Sequence, residues 1–182
     1  MEQSHGIHTR DMAYIGLFAV LITVCSWLSI PTTVPFTLQT FAVFCAVGLL
    51  GGKRGTISVL VYLLLGAVGL PVFSGFRGGF GALLGATGGY IAGFFFCAAV
   101  YWAVTELFGT KTRVVFPAML AGLVTLYAFG TAWFMFVYAR TTGEIGLRTA
   151  LAWCVLPFII PDLLKAALAV MVMKRLSKYL NL

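Results

Sequence analysis

Residues 12–30 read MAYIGLFAVLITVCSWLSI, an apolar run that contains no charged side chain. A helix needs about 20 largely apolar residues to cross the hydrocarbon core of a bilayer, so this run predicts a membrane-spanning helix. The run follows Arg10 and has the layout of a signal peptide, but it has no small-x-small cleavage site near its end. We therefore predict that it is retained as the first span.

Five further apolar stretches with few charges follow along the chain. They cover residues 37–50, 56–70, 90–108, 116–138 and 151–173. Of the 182 residues, 61% are hydrophobic and only 9% are charged, whereas a soluble domain has about 25% charged residues. The sequence thus predicts an all-α integral membrane protein with six transmembrane helices in a single domain, residues 1–182. The second and third stretches are short for a bilayer, so we expect them to extend into their loops or to lie beside longer helices.

The basic residues predict an orientation and argue against nucleic acid as a partner. A net charge of +7 would suit a nucleic-acid-binding protein, but a mean hydropathy of +1.03 leaves too little polar surface for a basic groove. Most of the Lys and Arg residues instead fall on one side of the predicted spans: Arg10, Lys53, Arg54, Lys111, Arg113, Lys174, Arg175 and Lys178. The other side has Arg77, Arg140 and Arg148. The positive-inside rule then places both termini in the cytoplasm of a multi-pass protein of the cell membrane, surrounded by lipid.

The connection between the third and fourth predicted helices is rich in glycine and lies on the outer side in this topology. Residues 72–89 read VFSGFRGGFGALLGATGG, with seven glycines in 18 residues, which is hard to explain as helix. A flexible connector is one interpretation. The apolar residues inside the run favour the other, a loop that folds back onto the protein as a lid, because irregular backbone at membrane depth must be buried in protein or line a cavity.

The sequence lacks the usual parts of an enzyme or a metal site. Residues 51–54 read GGKR, and their Gly-Lys pair matches part of a phosphate-binding loop. The earlier glycine and the Ser or Thr after Lys53 that such a loop requires are missing. His5 and His8 lie in the polar N-terminal segment, and no histidine occurs in a predicted span. The four cysteines lie inside apolar stretches without metal-type spacing and are predicted to be reduced core residues. We therefore predict neither catalysis nor a metal or other cofactor.

Asp162 and Lys165 form the one charge cluster inside a predicted span, in the run IPDLLKAA over residues 160–167. Pro161 suits the first turn of a helix, and a spacing of three places Asp162 and Lys165 on one helical face. An ionised residue at mid-membrane costs about 2.5–3.5 kcal/mol and usually faces a cavity or a partner. The two residues either pair with each other to close the helix end or anchor a ligand. In the predicted topology Arg77 lies on the same side, so the three can converge on a small amphipathic ligand that carries a carboxylate and N–H donors.

Two further polar or small-residue features have a structural and a functional interpretation each. Gln39, near the outer end of the second span, offers an amide to a ligand or to a neighbouring helix. Ala13, Gly16 and Ala19 recur at intervals of three on the first helix and form a stripe that another helix can approach closely. This stripe serves either internal packing or the docking of a partner subunit.

Four runs of the sequence carry a resemblance to a known family: VPFTLQT at residues 34–40, YLLLGAVGLPVF at 62–73, GGY at 88–90 and DLLKA at 162–166. Together they resemble the BioY family, the biotin-specific substrate-binding (S) components of energy-coupling factor (ECF) transporters. The resemblance covers the whole chain in order. It implies six helices, high-affinity capture of biotin from outside, delivery by toppling of the component in the membrane, and a partner transmembrane subunit with two ATPases.

The resemblance also implies roles for individual residues. Asp162 and Lys165 would bind the polar ureido end of biotin, with Asp162 accepting N–H bonds, Arg77 would be a ligand contact or lid residue, and Tyr90 would line the pocket. Two alternatives remain open at this point. The same fold could be specific for another vitamin, or the protein could be a membrane scaffold or small channel in which Asp162 and Lys165 only pair with each other.

Overall fold

The computed structural model describes residues 8–176, which are mostly helical. In chain order the elements are α1 (Thr9–Trp27), β1 (Ser29–Ile30), β2 (Phe36–Thr37), α2 (Gln39–Leu50), α3 (Gly52–Ala67), α4 (Phe80–Leu84), α5 (Gly88–Phe108), α6 (Thr112–Thr141), α7 (Leu147–Cys154) and α8 (Leu156–Leu176). By length and apolar composition, α1, α5, α6 and α8 could each cross a membrane. The chain is therefore an all-α integral membrane protein apart from one small hairpin. His5 and Lys178, which entered the sequence analysis, lie outside the described residues.

The short helix α2 lies in the centre of the molecule. It packs against α1, α3, α5 and α8, and nine of its 12 residues are buried. A helix of this length is about 18 Å long, shorter than a bilayer core of about 30 Å. Because other helices surround it, α2 buries its apolar surface against protein rather than lipid.

The first connection contains a hairpin where the sequence predicted the end of one span and the start of the next. Ser29 pairs with Thr37 and Ile30 with Phe36 in two antiparallel strands. Ile30 precedes Pro31, and a residue before proline is pushed from the helical into the extended region. The predicted first span, 12–30, is therefore shifted, and its helix covers residues 9–27.

The glycine-rich connection is partly helical, which corrects the expectation that residues 72–89 are irregular. It contains α4, and α5 already begins at Gly88. A Cβ at Gly88 would overlap the Leu83 carbonyl, and one at Gly89 would overlap the Trp133 side chain. These glycines permit close packing inside or beside helices, a use of glycine that its helix-breaking tendency conceals in the sequence.

The first part of this connection, residues 72–79, folds back onto the bundle, and we refer to it as the lid segment. Ser26 Oγ donates to Val72 O at 2.6 Å, and the Trp27 indole stacks on Phe76 with ring centroids 4.9 Å apart. Gly79 N donates to Gly66 O at 2.7 Å. The segment is thus held by the end of α1 and by α3.

The last predicted span, 151–173, consists of two helices that meet at Val155. Pro161 lies inside α8 and not in its first turn, as the sequence predicted, because α8 begins five residues earlier at Leu156. Pro157 occupies the early position that tolerates proline. Asp162 is consequently too far along α8 for the helix N-terminus to stabilise its charge, since that effect fades beyond the first turn.

Candidate ligand-binding cavity

A cavity of about 70 Å³ lies between the first hairpin, the lid segment and helices α2, α5, α6 and α8. Its apolar wall includes Val34, Ile91, Phe94, Leu126 and Phe158. Its polar wall includes Gln39, Arg77, Tyr90, Tyr127 and Lys165. The cavity therefore combines an apolar, aromatic interior with a few polar side chains, the composition of a small-molecule site.

Lys165 forms the most connected polar group of the wall. Its Nζ donates to Asp162 Oδ1 and to Thr37 O, both at 2.7 Å. It also lies 4.2 Å from the centroid of the Phe36 ring. The residue is only 5% exposed, so its charge is compensated entirely by neighbours and not by solvent.

Asp162 lies behind the wall rather than in it. The residue is 3% exposed and is not among the residues that line the cavity. One carboxylate oxygen accepts from Lys165, and the other accepts from the Tyr127 hydroxyl at 2.7 Å. The structure thus contains the ion pair that the sequence allowed. The buried carboxylate of Asp162 also fixes the positions of two side chains that line the cavity, Lys165 and Tyr127.

Tyr127 was missed by the sequence analysis. It lies on α6, 35 residues before its partner Asp162, so no local spacing connects the two. The available signal was a tyrosine in the middle of an apolar span, because a buried phenol requires a hydrogen-bond partner.

Gln39 is the first residue of α2 and is 4% exposed. Its Nε2 has no hydrogen-bond partner within residues 8–176. An unpaired buried amide costs about 1–3 kcal/mol. The Tyr62 hydroxyl on α3, which is also buried without a well-formed hydrogen bond, lies near this amide, so the interhelical interaction that the sequence also allowed for Gln39 is a close approach to α3.

Tyr90 and Arg77 both line the cavity but differ in exposure. Tyr90 is buried, and its hydroxyl lies 2.8 Å from Thr131 Oγ1. Arg77 is exposed, and its Nε donates to Ser74 O at 3.1 Å within the lid segment. Arg77, Lys165 and the carboxylate of Asp162 do not form one cluster: Arg77 and Lys165 share the cavity, and Asp162 contacts Lys165 from behind.

The small-residue stripe of α1 does not face a single environment. Ala13 and Gly16 are exposed, and a Cβ at Gly16 would meet no atom within 4 Å. Ala19 is 1% exposed and belongs to the core. The outward part of the stripe is flanked by exposed apolar residues such as Leu17 and Val20.

Comparison with known proteins gives one consistent result. The model of the BioY family matches residues 1–182. The biotin transporter BioY of Thermotoga maritima is 41% identical over 170 residues, which are 93% of this chain and 96% of that protein. A probable biotin transporter BioY of Pyrococcus horikoshii is 39% identical over 169 residues, 92% of this chain and 96% of that protein.

A solved structure agrees with these sequence relatives. The crystal structure of an S-component for biotin from an ECF-type ABC transporter superposes with a TM-score of 0.83 at 30% sequence identity. The match covers 98% of this chain and 95% of that one. The similarity therefore extends over the whole helical bundle and includes the elements that build the cavity.

Proposed function

The chain belongs to the BioY family, and from this premise we propose that it is the biotin-binding S component of an ECF transporter in the plasma membrane. The observation that carries the proposal is the largely apolar cavity with Lys165 and Gln39 in its wall, where the amide nitrogen of Gln39 makes no well-formed hydrogen bond within residues 8–176. Both groups are donors held ready for a ligand acceptor. Biotin supplies such an acceptor in the carbonyl of its ureido ring.

The ureido ring would bind at the Lys165 end of the cavity. Its carbonyl would accept from Lys165 Nζ and Gln39 Nε2. Asp162 lies behind the wall, so its Oδ2 would become accessible when the Tyr127 hydroxyl that donates to it at 2.7 Å turns away, and the N–H groups of the ring would then donate to this oxygen. Ligand binding then exchanges one donor for another at this oxygen, so the buried carboxylate remains satisfied.

The remaining parts of biotin fit the rest of the wall. Its sulfur ring and aliphatic chain are apolar and would contact the side chains of Tyr90, Phe94 and Leu126. Its carboxylate would lie near Arg77 at the exposed edge of the cavity. An exposed ion pair contributes only about 0–1 kcal/mol, so we assign most of the affinity to the buried end.

Entry of the ligand requires movement of the elements around the cavity. Its volume of about 70 Å³ is well below the range of about 300–1,000 Å³ for ligand pockets. The lid segment is the element we expect to move, because it holds Arg77 and Ser74 of the wall and is joined to α1 by side-chain contacts at one edge. Closure over bound biotin would exclude water from the Lys165 end.

Transport would use the topology that the sequence predicts: six membrane-crossing helices with both termini in the cytoplasm. The energy would come from two ATPases joined through a transmembrane coupling subunit, with toppling of this component to release biotin inside. We propose the outward face of α1 that contains Ala13 and Gly16 as the docking surface for that subunit. Ala19 is buried and would support this face from the inside.

Equilibrium binding of labelled biotin to the detergent-purified protein tests the function. Unlabelled biotin should compete, whereas thiamine, riboflavin and folate should not. Saturable binding of another member of this panel would assign a different vitamin to the same fold. No saturable binding of any of them, by protein that is shown to be folded, would favour a scaffold or channel. Co-purification of the native protein with ATPase subunits tests the partners separately.

A further inference from the structure

Three helices bring polar side chains together at one buried point beside the ligand cavity. Ser26 lies in the last turn of α1, Gln39 is the first residue of α2, and Tyr62 belongs to α3. Ser26 and Tyr62 are 0% exposed. The side chains of Ser26 and Gln39 both lie near the Tyr62 hydroxyl. Of the three residues only Gln39 lines the cavity, so Tyr62 and Ser26 can act on a ligand only through their neighbours.

The Tyr62 hydroxyl and the Gln39 amide nitrogen share an unusual condition. Both atoms are buried, and neither makes a well-formed hydrogen bond within residues 8–176. A buried phenol and a buried amide each normally have a partner. Because the two atoms lie near each other, the unsatisfied buried side chains of the described chain are concentrated at one place, next to the cavity.

Ser26 determines the direction in which hydrogen bonds can run through this point. Its Oγ lies 2.7 Å from Thr23 O and 2.6 Å from Val72 O. A serine hydroxyl has a single proton, which these two carbonyls share, so toward Tyr62 it can only accept. Tyr62 then donates its own proton to Ser26 and keeps a lone pair that can accept. The amide nitrogen of Gln39, which has two N–H donors, fits that lone pair.

Tyr62 and Ser26 also hold the lid segment, residues 72–79. Val72 O, which accepts from Ser26, belongs to this segment. The next residue, Phe73, meets the Tyr62 ring edge to face, with ring centroids 5.5 Å apart and planes at 76°. Phe73 is 1% exposed and belongs to the core. Tyr62 therefore contacts the lid segment with its ring while its hydroxyl lies near the amide that lines the cavity.

We propose that Tyr62 is a positioning residue that orients the Gln39 amide toward the ligand and joins it, through Ser26, to the lid segment. The inference rests on the proposed function, in which Gln39 Nε2 donates to the ureido carbonyl of biotin. One N–H of the amide would donate to the ligand and the other to Tyr62, Tyr62 would donate to Ser26, and Ser26 would donate to Val72 O. With one N–H held by Tyr62, the amide cannot rotate, and its other N–H keeps a fixed direction.

Biotin would complete this chain of hydrogen bonds and so hold the lid segment closed. The proton of Ser26 is shared between Thr23 O, within α1, and Val72 O, in the lid segment. A donor at the Tyr62 oxygen strengthens donation by Tyr62 and then by Ser26, because hydrogen bonds in a chain polarise one another. Recognition of the ureido ring at Gln39 would thus slow the opening of the lid segment.

The test uses Tyr62→Phe, which removes the hydroxyl and keeps the ring against Phe73. The matched control is Tyr101→Phe, because Tyr101 is also buried, at 2% exposed, and does not line the ligand cavity. Affinity and dissociation rate of labelled biotin are measured on the purified full-length proteins, together with thermal unfolding without biotin. Hydrogen–deuterium exchange of residues 72–79 at saturating biotin reports on the lid segment.

We expect Tyr62→Phe to bind biotin about fivefold more weakly, the effect of one hydrogen bond, mainly through faster dissociation. Its thermal unfolding temperature without biotin should not fall, because no well-formed hydrogen bond is lost. At saturating biotin its lid segment should exchange faster than that of the unaltered chain. Tyr101→Phe should match the unaltered chain in biotin binding and in exchange of the lid segment.

Unaltered biotin affinity in Tyr62→Phe, or an equal loss in Tyr101→Phe, would overturn the role of Tyr62 and leave the proposed function in place. Weaker binding with unaltered exchange of residues 72–79 would overturn the connection to the lid segment. A lower unfolding temperature with unaltered affinity would make Tyr62 a structural residue only. Failure of the unaltered chain to bind biotin would instead overturn the proposed function, and this inference with it.

Discussion

Replacement of Lys165 by Met removes one charge of the buried pair and keeps the length of the side chain. Lys165 Nζ makes two hydrogen bonds of 2.7 Å, to Asp162 Oδ1 and Thr37 O, and lies 4.2 Å from the Phe36 ring centroid. Without it, Asp162 remains 3% exposed, with Tyr127 as its one side-chain donor in the described residues. Breaking a buried ion pair from one side costs about 3–5 kcal/mol. We expect a loss of this size in the free energy of unfolding.

A second variant separates stability from ligand binding. Asp162→Asn/Lys165→Met removes both charges, so no uncompensated ion remains, and most of the lost stability should return. Biotin binding should not return, because both the donor to the ureido carbonyl and the charged acceptor for its N–H groups are missing. We expect at least about a tenfold loss of affinity, equivalent to about 1.4 kcal/mol.

The two quantities are measured on the same purified samples. Denaturant titration in mixed micelles gives the free energy of unfolding, and equilibrium binding of labelled biotin gives Kd. Lys111→Met is the control, since Lys111 is exposed at the other end of the bundle and has no ion pair within residues 8–176. Unaltered biotin affinity in the double variant would refute the site and leave Asp162 and Lys165 as a structural pair. Unaltered stability of Lys165→Met would refute the argument from the buried charge.

Three further predictions concern the neighbours of this pair. Tyr127→Phe should lower the stability of the ligand-free protein by about 1–3 kcal/mol, since Asp162 Oδ2 loses its donor, and should leave biotin affinity equal or higher. A lower affinity in the binding assay would show that the phenol contacts the ligand. Gln39→Met should leave stability nearly unchanged, because the amide nitrogen makes no well-formed hydrogen bond within residues 8–176, while weakening biotin binding about tenfold. Parallel loss of both in the two assays would instead assign Gln39 a structural role. A Cβ at position 66 overlaps the buried Phe73 ring, so Gly66→Ala should lower the free energy of unfolding by about 1–3 kcal/mol and with it the thermal unfolding temperature. An unchanged temperature would show that the lid segment shifts freely.

The membrane class and the charged pair could be predicted from the sequence because each rests on a local pattern. A long apolar run by itself indicates a helix in an apolar environment, and each of the six predicted stretches overlaps a helix of the structure. The spacing of Asp162 and Lys165 fixes their common helical face, and the two do meet at 2.7 Å. The spacing of the two residues could not show that Asp162 is buried behind the cavity wall and does not line it.

The missed features depend on contacts between distant segments. The Tyr127 hydroxyl meets Asp162 through the packing of α6 on α8, and Thr37 O reaches Lys165 across 128 residues. The helical part of the glycine-rich connection was missed for a related reason. Helix α5 needs a glycine at position 89 because Trp133 packs where a side chain would be, and only the folded neighbour shows that requirement.

The polar side chains of the bundle differ in how they are satisfied, and the difference locates the polar end of the ligand. Thr23 in α1 and Ser58 in α3 each donate to the carbonyl four residues earlier, so they need nothing from outside their own helix. Gln39 has no well-formed hydrogen bond for its amide nitrogen within residues 8–176. The charge of Lys165 is compensated by a carboxylate whose own burial costs free energy. Arg77, by contrast, is exposed and solvated. Since a ligand gains most where it relieves an unsatisfied buried group, the polar end of the ligand that specifies binding belongs at Gln39 and Lys165, and the charge at Arg77 is secondary.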